Sequence, residues 1–177
     1  MKISLPFTKE VLKTLKAGDT VYVSGTLFTA RDAAHKRIFE SLKKGERLPF
    51  SLLGQTIYYA GPCPAKPGRI AGPCGPTTST RMDRYTPKLL DHGLFAIIGK
   101  GNVGDAVAQA LVKNGAVYFA AIGGAGALYA NAIEDIKTIA YDDLGTESVK
   151  RVTVKDMPLI VAIDTQGNNL YKRQNNI

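Results

Sequence analysis

The sequence predicts an α/β fold with a partly parallel, mixed sheet, and three observations carry that expectation. Strand-like and helix-like stretches alternate along most of the chain. Residues 94–98, Leu-Phe-Ala-Ile-Ile, are apolar without interruption, as expected of a strand buried on both faces. That run leads directly into a glycine loop and a helical pattern, the strand–turn–helix unit from which parallel sheets are built. With 177 residues and 45% hydrophobic content, the chain can bury one sizeable core and is short for two. Residues 1–177 are therefore expected to form a single domain.

The first elements are short. Residues 3–7 are a brief apolar start, after which Thr8 opens a helical pattern with Val11, Leu12 and Leu15 on one face, closed by Gly18. Residues 20–26 alternate Val21 and Val23 with polar neighbours and read as a strand. Thr29 and Asp32 have capping-box spacing and should open an amphipathic helix through Ile38, Phe39 and Leu42 to Gly45. Arg31 then falls at a helix start, where a fixed positive charge opposes the helix dipole by roughly 0.3–1 kcal/mol. Either the neighbouring Asp32 or a bound carboxylate should compensate. His35, one turn on, reads as a packing or supporting residue and not as a catalyst.

Residues 55–60 form a β-rich strand, and residues 61–76 carry five prolines, too many for an ordered ladder. This is expected to be a long surface or active-site loop. It ends in residues 72–83, GPCGPTTSTRMD, where four hydroxyl residues precede Arg81 and Asp83. Unpaired N–H and hydroxyl groups at a helix start suit a carboxylate or phosphate. The alternative is a plain turn in which Thr80 is the N-cap and Asp83 completes a capping box. Residues 77–85 can be helical, Thr86-Pro87 can start another turn, and His92 beside Gly93 reads as a cation at a helix C-terminus.

The strand at 94–98 feeds GKGNVG, residues 99–104, which spells G-x-G-x-x-G before a helix over 105–113. In that setting the pattern suggests dinucleotide binding. Against it, the next strand, 116–122, ends in Gly123-Gly124, with no acidic residue there to hold a ribose. Lys100 inside the loop suggests instead a point charge aimed at a small anion. A short helix to Ala132, strands over 136–141, 149–154 and 159–163, a polar turn over 164–169 and a last strand at Leu170-Tyr171 complete the alternation.

Composition narrows the function. The net charge of +8 calls for an anionic partner, yet the basic residues are dispersed and no recognisable nucleic-acid module is present. No window approaches the roughly 18 consecutive apolar residues of a membrane span, and the N-terminus has no long apolar signal segment, so a cytoplasmic protein is expected. Cys63 and Cys74 are the only cysteines, too few for a cubane cluster or for a secreted disulfide framework, and are expected to be free thiols. Three cations, Arg31, Arg81 and Lys100, and the hydroxyl pair Thr77 and Thr78 can clamp a small polyanion but lack an electrophile.

The stretch GPTTSTRMD resembles the signature of the β subunit, or C-terminal domain, of iron–sulfur hydro-lyases of the class I fumarate hydratase and L-tartrate dehydratase family. TARDAAH at 29–35, YYAGPCP at 58–64 and IIGKGN at 97–102 agree in the family's order and at roughly its spacing. The resemblance implies a swivelling β/β/α domain and a separate α subunit that carries a [4Fe-4S] cluster on three cysteines. It implies no metal or cofactor ligands on this chain, and a small dicarboxylate whose hydroxyl and one carboxylate bind the open iron. By matched motif, Arg31 and Arg81 resemble carboxylate clamps and Lys100 a further anion contact. Thr77 resembles the catalytic group that removes the C–H proton, with Thr78 beside it. The implied reaction is reversible hydration of fumarate to L-malate in a higher oligomer of αβ pairs, with dehydration of L(+)-tartrate to oxaloacetate as the alternative. Without any resemblance, a stand-alone nucleotide- or anion-binding module is the competing class.

Overall fold

The computed structural model describes residues 1–172. The described elements are β1 (Lys2–Ser4), α1 (Lys9–Thr14), β2 (Thr20–Thr29), α2 (Asp32–Lys44), β3 (Thr56–Tyr58), a 3₁₀ turn (Ser79–Met82), α3 (Thr86–Asp91), β4 (Ala96–Gly99), α4 (Asp105–Asn114), β5 (Val117–Ala120), α5 (Gly126–Asn131), β6 (Ile133–Ala140), a 3₁₀ segment (Asp142–Glu147) and β7 (Val149–Ile163). Strands β1 to β5 follow one another in chain order, each parallel to the next. β7 is antiparallel to β2, β5 and β6. Because β7 pairs with both β2 and β5, these strands close into a ring with β3 and β4.

Side-chain alternation reveals the layers. Ile57 and Tyr59, Ile97, and Tyr118 and Ala120 enter one core with residues of α2, α3 and α4. Their neighbours Tyr58 and Ala60, Ala96 and Ile98, and Val117 and Phe119 enter the other, with Val21, Val23 and Leu27 of β2 and Val152 and Val154 of β7. The parallel strands thus lie between a helical layer and an antiparallel one, which explains the unbroken apolar run at 94–98. The architecture is a mixed α/β fold with a mixed sheet, as the sequence patterns led one to expect, and its β/β/α layering is the one the family resemblance implied.

Two elements differ from expectation. The stretches at 149–154 and 159–163 are one continuous strand, since Asp156 takes a left-handed conformation (φ 47°) opposite a register shift between Val23 and Gly25 of β2. Pro158 is tolerated because it falls between the end of the pairing with β6 at Val154 and the start of that with β5 at Ile160. Leu170 and Tyr171 lie in a turn and not a strand, tied back by a bridge between Ile163 and Asn169. Among the described residues, no helix is long and apolar enough to cross a membrane.

Candidate functional site

Since β2 to β5 are parallel, the segments that follow them emerge along one carboxyl edge of the sheet. That edge carries Arg31 after β2, the Thr77 loop beyond β3, Lys100 after β4 and Gly123 after β5. The Thr77 and Lys100 loops are paired through their backbones. Lys100 N donates to Thr77 O (3.3 Å), Ser79 N donates to Lys100 O (3.0 Å), and Thr77 N donates to Tyr59 O (2.6 Å). Thr77 is buried, and its hydroxyl has no hydrogen-bond partner among the described residues; Thr78 beside it is exposed. The stem of Lys100 passes Gly123, where an added Cβ would lie 3.5 Å from Lys100 Cδ.

The glycines of the G-x-G-x-x-G pattern serve the chain itself. A Cβ on Gly99 would come within 2.1 Å of Ser79 Oγ, Gly101 has φ +75°, and a Cβ on Gly104 would meet Asp83 Oδ2 at 2.8 Å. Ser79 Oγ is 2.8 Å from the buried Tyr118 hydroxyl, which donates to Gly101 O at 2.6 Å. One tyrosine on β5 therefore ties both loops together. The start of α4 is occupied by Asp83, whose Oδ2 accepts from Gly104 N at 2.8 Å. Burial raises the Asp83 pKa, against the lowering effect of that N–H donor. A nucleotide phosphate would have to displace a carboxylate already in place.

The backbone cradle suggested by residues 72–83 is only partly used up by the chain itself, since the N–H groups of Gly75, Thr78 and Thr80 have no hydrogen-bond partner among the described residues. Cys74, Thr77, Ser79 and Asp83 all spend their N–H groups within the chain, and Thr80 lies inside the 3₁₀ turn, so Asp83 completes no capping box. The Thr29–Asp32 box is likewise absent: Thr29 ends β2 with its hydroxyl buried and unpaired, and Arg31 is the N-cap of α2, with no side-chain cap bond.

Arg31 and Arg81 are joined by Asp32. Arg31 Nε lies 3.2 Å from Asp32 Oδ2 and 3.0 Å from Glu147 Oε1, and Arg81 Nε lies 2.8 Å from Asp32 Oδ1. Both guanidinium groups are thus held through Nε, and their terminal nitrogens have no partner among the described residues. Burial works to raise the Asp32 pKa, but bonds from its own N–H, Arg31 and Arg81 outweigh it and keep the carboxyl below the usual range. Nothing in the sequence pointed to Glu147, because its contacts cross more than a hundred residues of chain.

His35 is a packing residue, as expected. It is fully buried, its ring stands edge-on to Tyr59 at 5.0 Å, and Nδ1 lies 3.1 Å from Arg31 O. Burial, opposed by that carbonyl and by Asp32, pushes its pKa down to about 4, so the ring is neutral at pH 7. Cys74 is buried with its thiol pushed up to about 12 by burial, while Cys63 is exposed. A cluster needs several thiolates, and among the described residues no three His, Cys, Asp or Glu side chains gather so as to hold a metal ion. These residues do not fit an iron–sulfur cluster. A cleft of about 400 Å³ is lined by Pro62, Ile70, Ile136 and Lys150, and two of about 580 Å³ lie beside Asp105 and Lys172 and beside Arg47 and Ser51; neither Arg31 nor Arg81 lines any of the three.

Comparisons with known proteins agree with the resemblance seen in the motifs. A family model described as fumarase C-terminus matches residues 1–174. The chain is 40% identical over 174 residues to a putative L(+)-tartrate dehydratase subunit beta of Methanocaldococcus jannaschii, covering 95% of this chain and 89% of that protein. It is 35% identical over 175 residues to fumarate hydratase 2 of Leishmania major, covering 98% of this chain and 31% of the other. Against the anaerobic class I fumarate hydratase of Escherichia coli the identity is 34% over 170 residues, covering 93% and 31%. The chain thus spans about a third of the length of these fumarate hydratases and most of the tartrate dehydratase subunit. Edge, motifs and matches lead to one assignment: the chain belongs to the fumarase C-terminus family.

Proposed function

We propose that residues 1–177 form one domain that acts as the β subunit of a [4Fe-4S]-dependent hydro-lyase, hydrating fumarate reversibly to L-malate. The observation that carries this reading is the pair Arg31 and Arg81, braced through Nε on Asp32 with their terminal nitrogens unengaged. Planar forks so presented suit carboxylates. Lys100 adds a point charge from the neighbouring loop, and Thr78 a hydroxyl on the open side. Thr77, whose hydroxyl has no internal partner, is the group assigned to remove the C–H proton. An alcohol is a weak base, so this role requires the nearby cations to favour the alkoxide.

The reading assigns a second surface over this edge to an α subunit that bears the cluster. A swivel of this domain would then close the clamp and exclude water. Higher oligomers of αβ pairs and a cytoplasmic setting belong to the same reading. Dehydration of L(+)-tartrate is the second reading, favoured by the 89% coverage of the tartrate dehydratase subunit.

Anaerobic reconstitution of the pair, assayed with malate and with L-tartrate, tests both readings. Arg81→Lys keeps the charge but loses the fork. It should lower kcat/KM on the preferred substrate by about ten- to a hundred-and-fifty-fold, the range for one charge-assisted hydrogen bond. Near-normal kcat/KM in this variant would remove Arg81 from the site.

A further inference from the structure

Glu147 lies in the 3₁₀ segment before β7, yet both oxygens of its carboxylate are committed to the start of α2. Oε2 accepts from Ala33 N at 2.9 Å, and Oε1 lies 3.0 Å from Arg31 Nε. Its side chain is only 25% exposed, uncommon for a glutamate. Arg31 itself makes no side-chain cap bond, so Glu147 supplies from a distant element the acceptor that this helix start lacks. The surroundings are tight. A Cβ on Gly61 would lie 3.0 Å from both Arg31 Cδ and Thr146 O, so the arginine stem is wedged between the loop after β3 and the segment that carries Glu147.

We propose that Glu147 is a positioning residue for Arg31: while the single Nε–H is donated to Asp32 Oδ2, the charge of Glu147 Oε1, 3.0 Å from Nε, confines the guanidinium from the other side, so that the two terminal nitrogens face the substrate carboxylate. This rests on the function proposed above. A free arginine side chain must surrender its rotamer freedom when it binds, and a braced one has already done so. The line Glu147, Arg31, Asp32, Arg81 further makes the two arginines one unit, in which two carboxylates balance two cations. Glu147 therefore contributes orientation and not attraction. On charge alone, neutralising Glu147 would make the edge more positive and bind a dianion more tightly. Orientation predicts the opposite sign.

The test compares wild type, Glu147→Gln, Arg31→Gln and the double variant, each reconstituted with its partner and assayed with malate and L-tartrate. Glu147→Gln should raise KM about tenfold with kcat within about twofold of wild type, since the braced contact is made equally before and during the reaction. In the Arg31→Gln background the same change should move KM less than about twofold. The isolated Glu147→Gln chain should melt within a few degrees of wild type, because the amide oxygen can still accept from Ala33 N. Should that variant fail to fold, Glu147→Asp carries the same comparison, with KM raised only while Arg31 is present. A KM that is unchanged or lower in Glu147→Gln, or an equal loss in both backgrounds, would reduce Glu147 to a helix cap and overturn the proposal. Normal kcat/KM in Arg31→Gln alone would instead bring down the site reading itself.

Discussion

Arg31 and Arg81 are held by carboxylates, whereas Lys100 and Thr77 are held by the backbones of two paired loops. On the arginine side, Asp32 and Glu147 fix the geometry through ion pairs that remain a quarter to a half exposed. On the lysine side, hydrogen bonds among Tyr59, Thr77, Ser79 and Lys100 and the absence of a Cβ at Gly99 do the same work. Such a site should fail in two separable ways. Proton uptake should loosen the first side, and added volume should disrupt the second.

The largest expected effect is acid sensitivity centred on His35, which lies under Arg31 and faces Asp32, Tyr59 and Tyr85. Its folded pKa, about 4, is below the ordinary 6.5, so its contribution is fully present above pH 6.5 and is lost as pH falls through 4. With about 1.4 kcal/mol per pH unit, the loss reaches roughly 3 kcal/mol by pH 4. Urea unfolding at pH 7.5, 5.5 and 4 should show His35→Gln losing less stability than wild type across this window. Parallel profiles would show that His35 does not set the acid limit.

Next in size is Gly99→Ala. Its methyl group would drive Ser79 Oγ away from Tyr118 and press on Tyr59 Cδ2 at 3.0 Å, a strain of about 2 kcal/mol. A lowered urea midpoint with an unaltered pH profile would mark damage confined to the lysine side. Tyr118→Phe should cost about 1–2 kcal/mol, since it leaves Ser79 Oγ and Gly101 O without their shared partner. Wild-type stability in this variant would mean that the loops hold their pairing unaided.

The smallest stability effect belongs to Asp32→Asn, below about 1 kcal/mol because its two ion pairs are partly solvated. Its effect on activity should nevertheless be about tenfold, as the bridge between the arginines is lost. The carboxyl is held below its usual range, so its stabilising effect is present above that range and disappears as pH falls through the lowered value. Full activity in Asp32→Asn would erase the distinction between the two sides.

Much of the lysine side was legible in the sequence, because strand, glycine loop and helix are contiguous in the chain and each announces itself by local pattern. The apolar run at 94–98 and the helix that follows needed no distant information. The arginine side was only half legible. Arg31 and Arg81 were singled out, but the spacing of Thr29 and Asp32 suggested a local cap, whereas Asp32 bonds to Arg81, 49 positions away. Asp83 was misread in the same way, since its carboxylate serves Gly104 and not Thr80. Short polar side chains choose partners by proximity in space, and local spacing fails wherever a distant element comes closer than the next turn. The same holds for β7, whose apparent break at residues 155–158 is bridged by β2 running alongside.

β7 also determines when the molecule can exist. It is the last of the described strands in the chain and pairs with β2, which begins at Thr20, while sealing the ring against β5. As the chain leaves the ribosome, the parallel strands and their helices therefore emerge well before the strand that covers their second face. For that interval the surface formed by Val21, Val23, Leu27 and Phe119 has no lid. Closure is a late, long-range event, of the kind that folds slowly and exposes a nascent chain to aggregation and to chaperones.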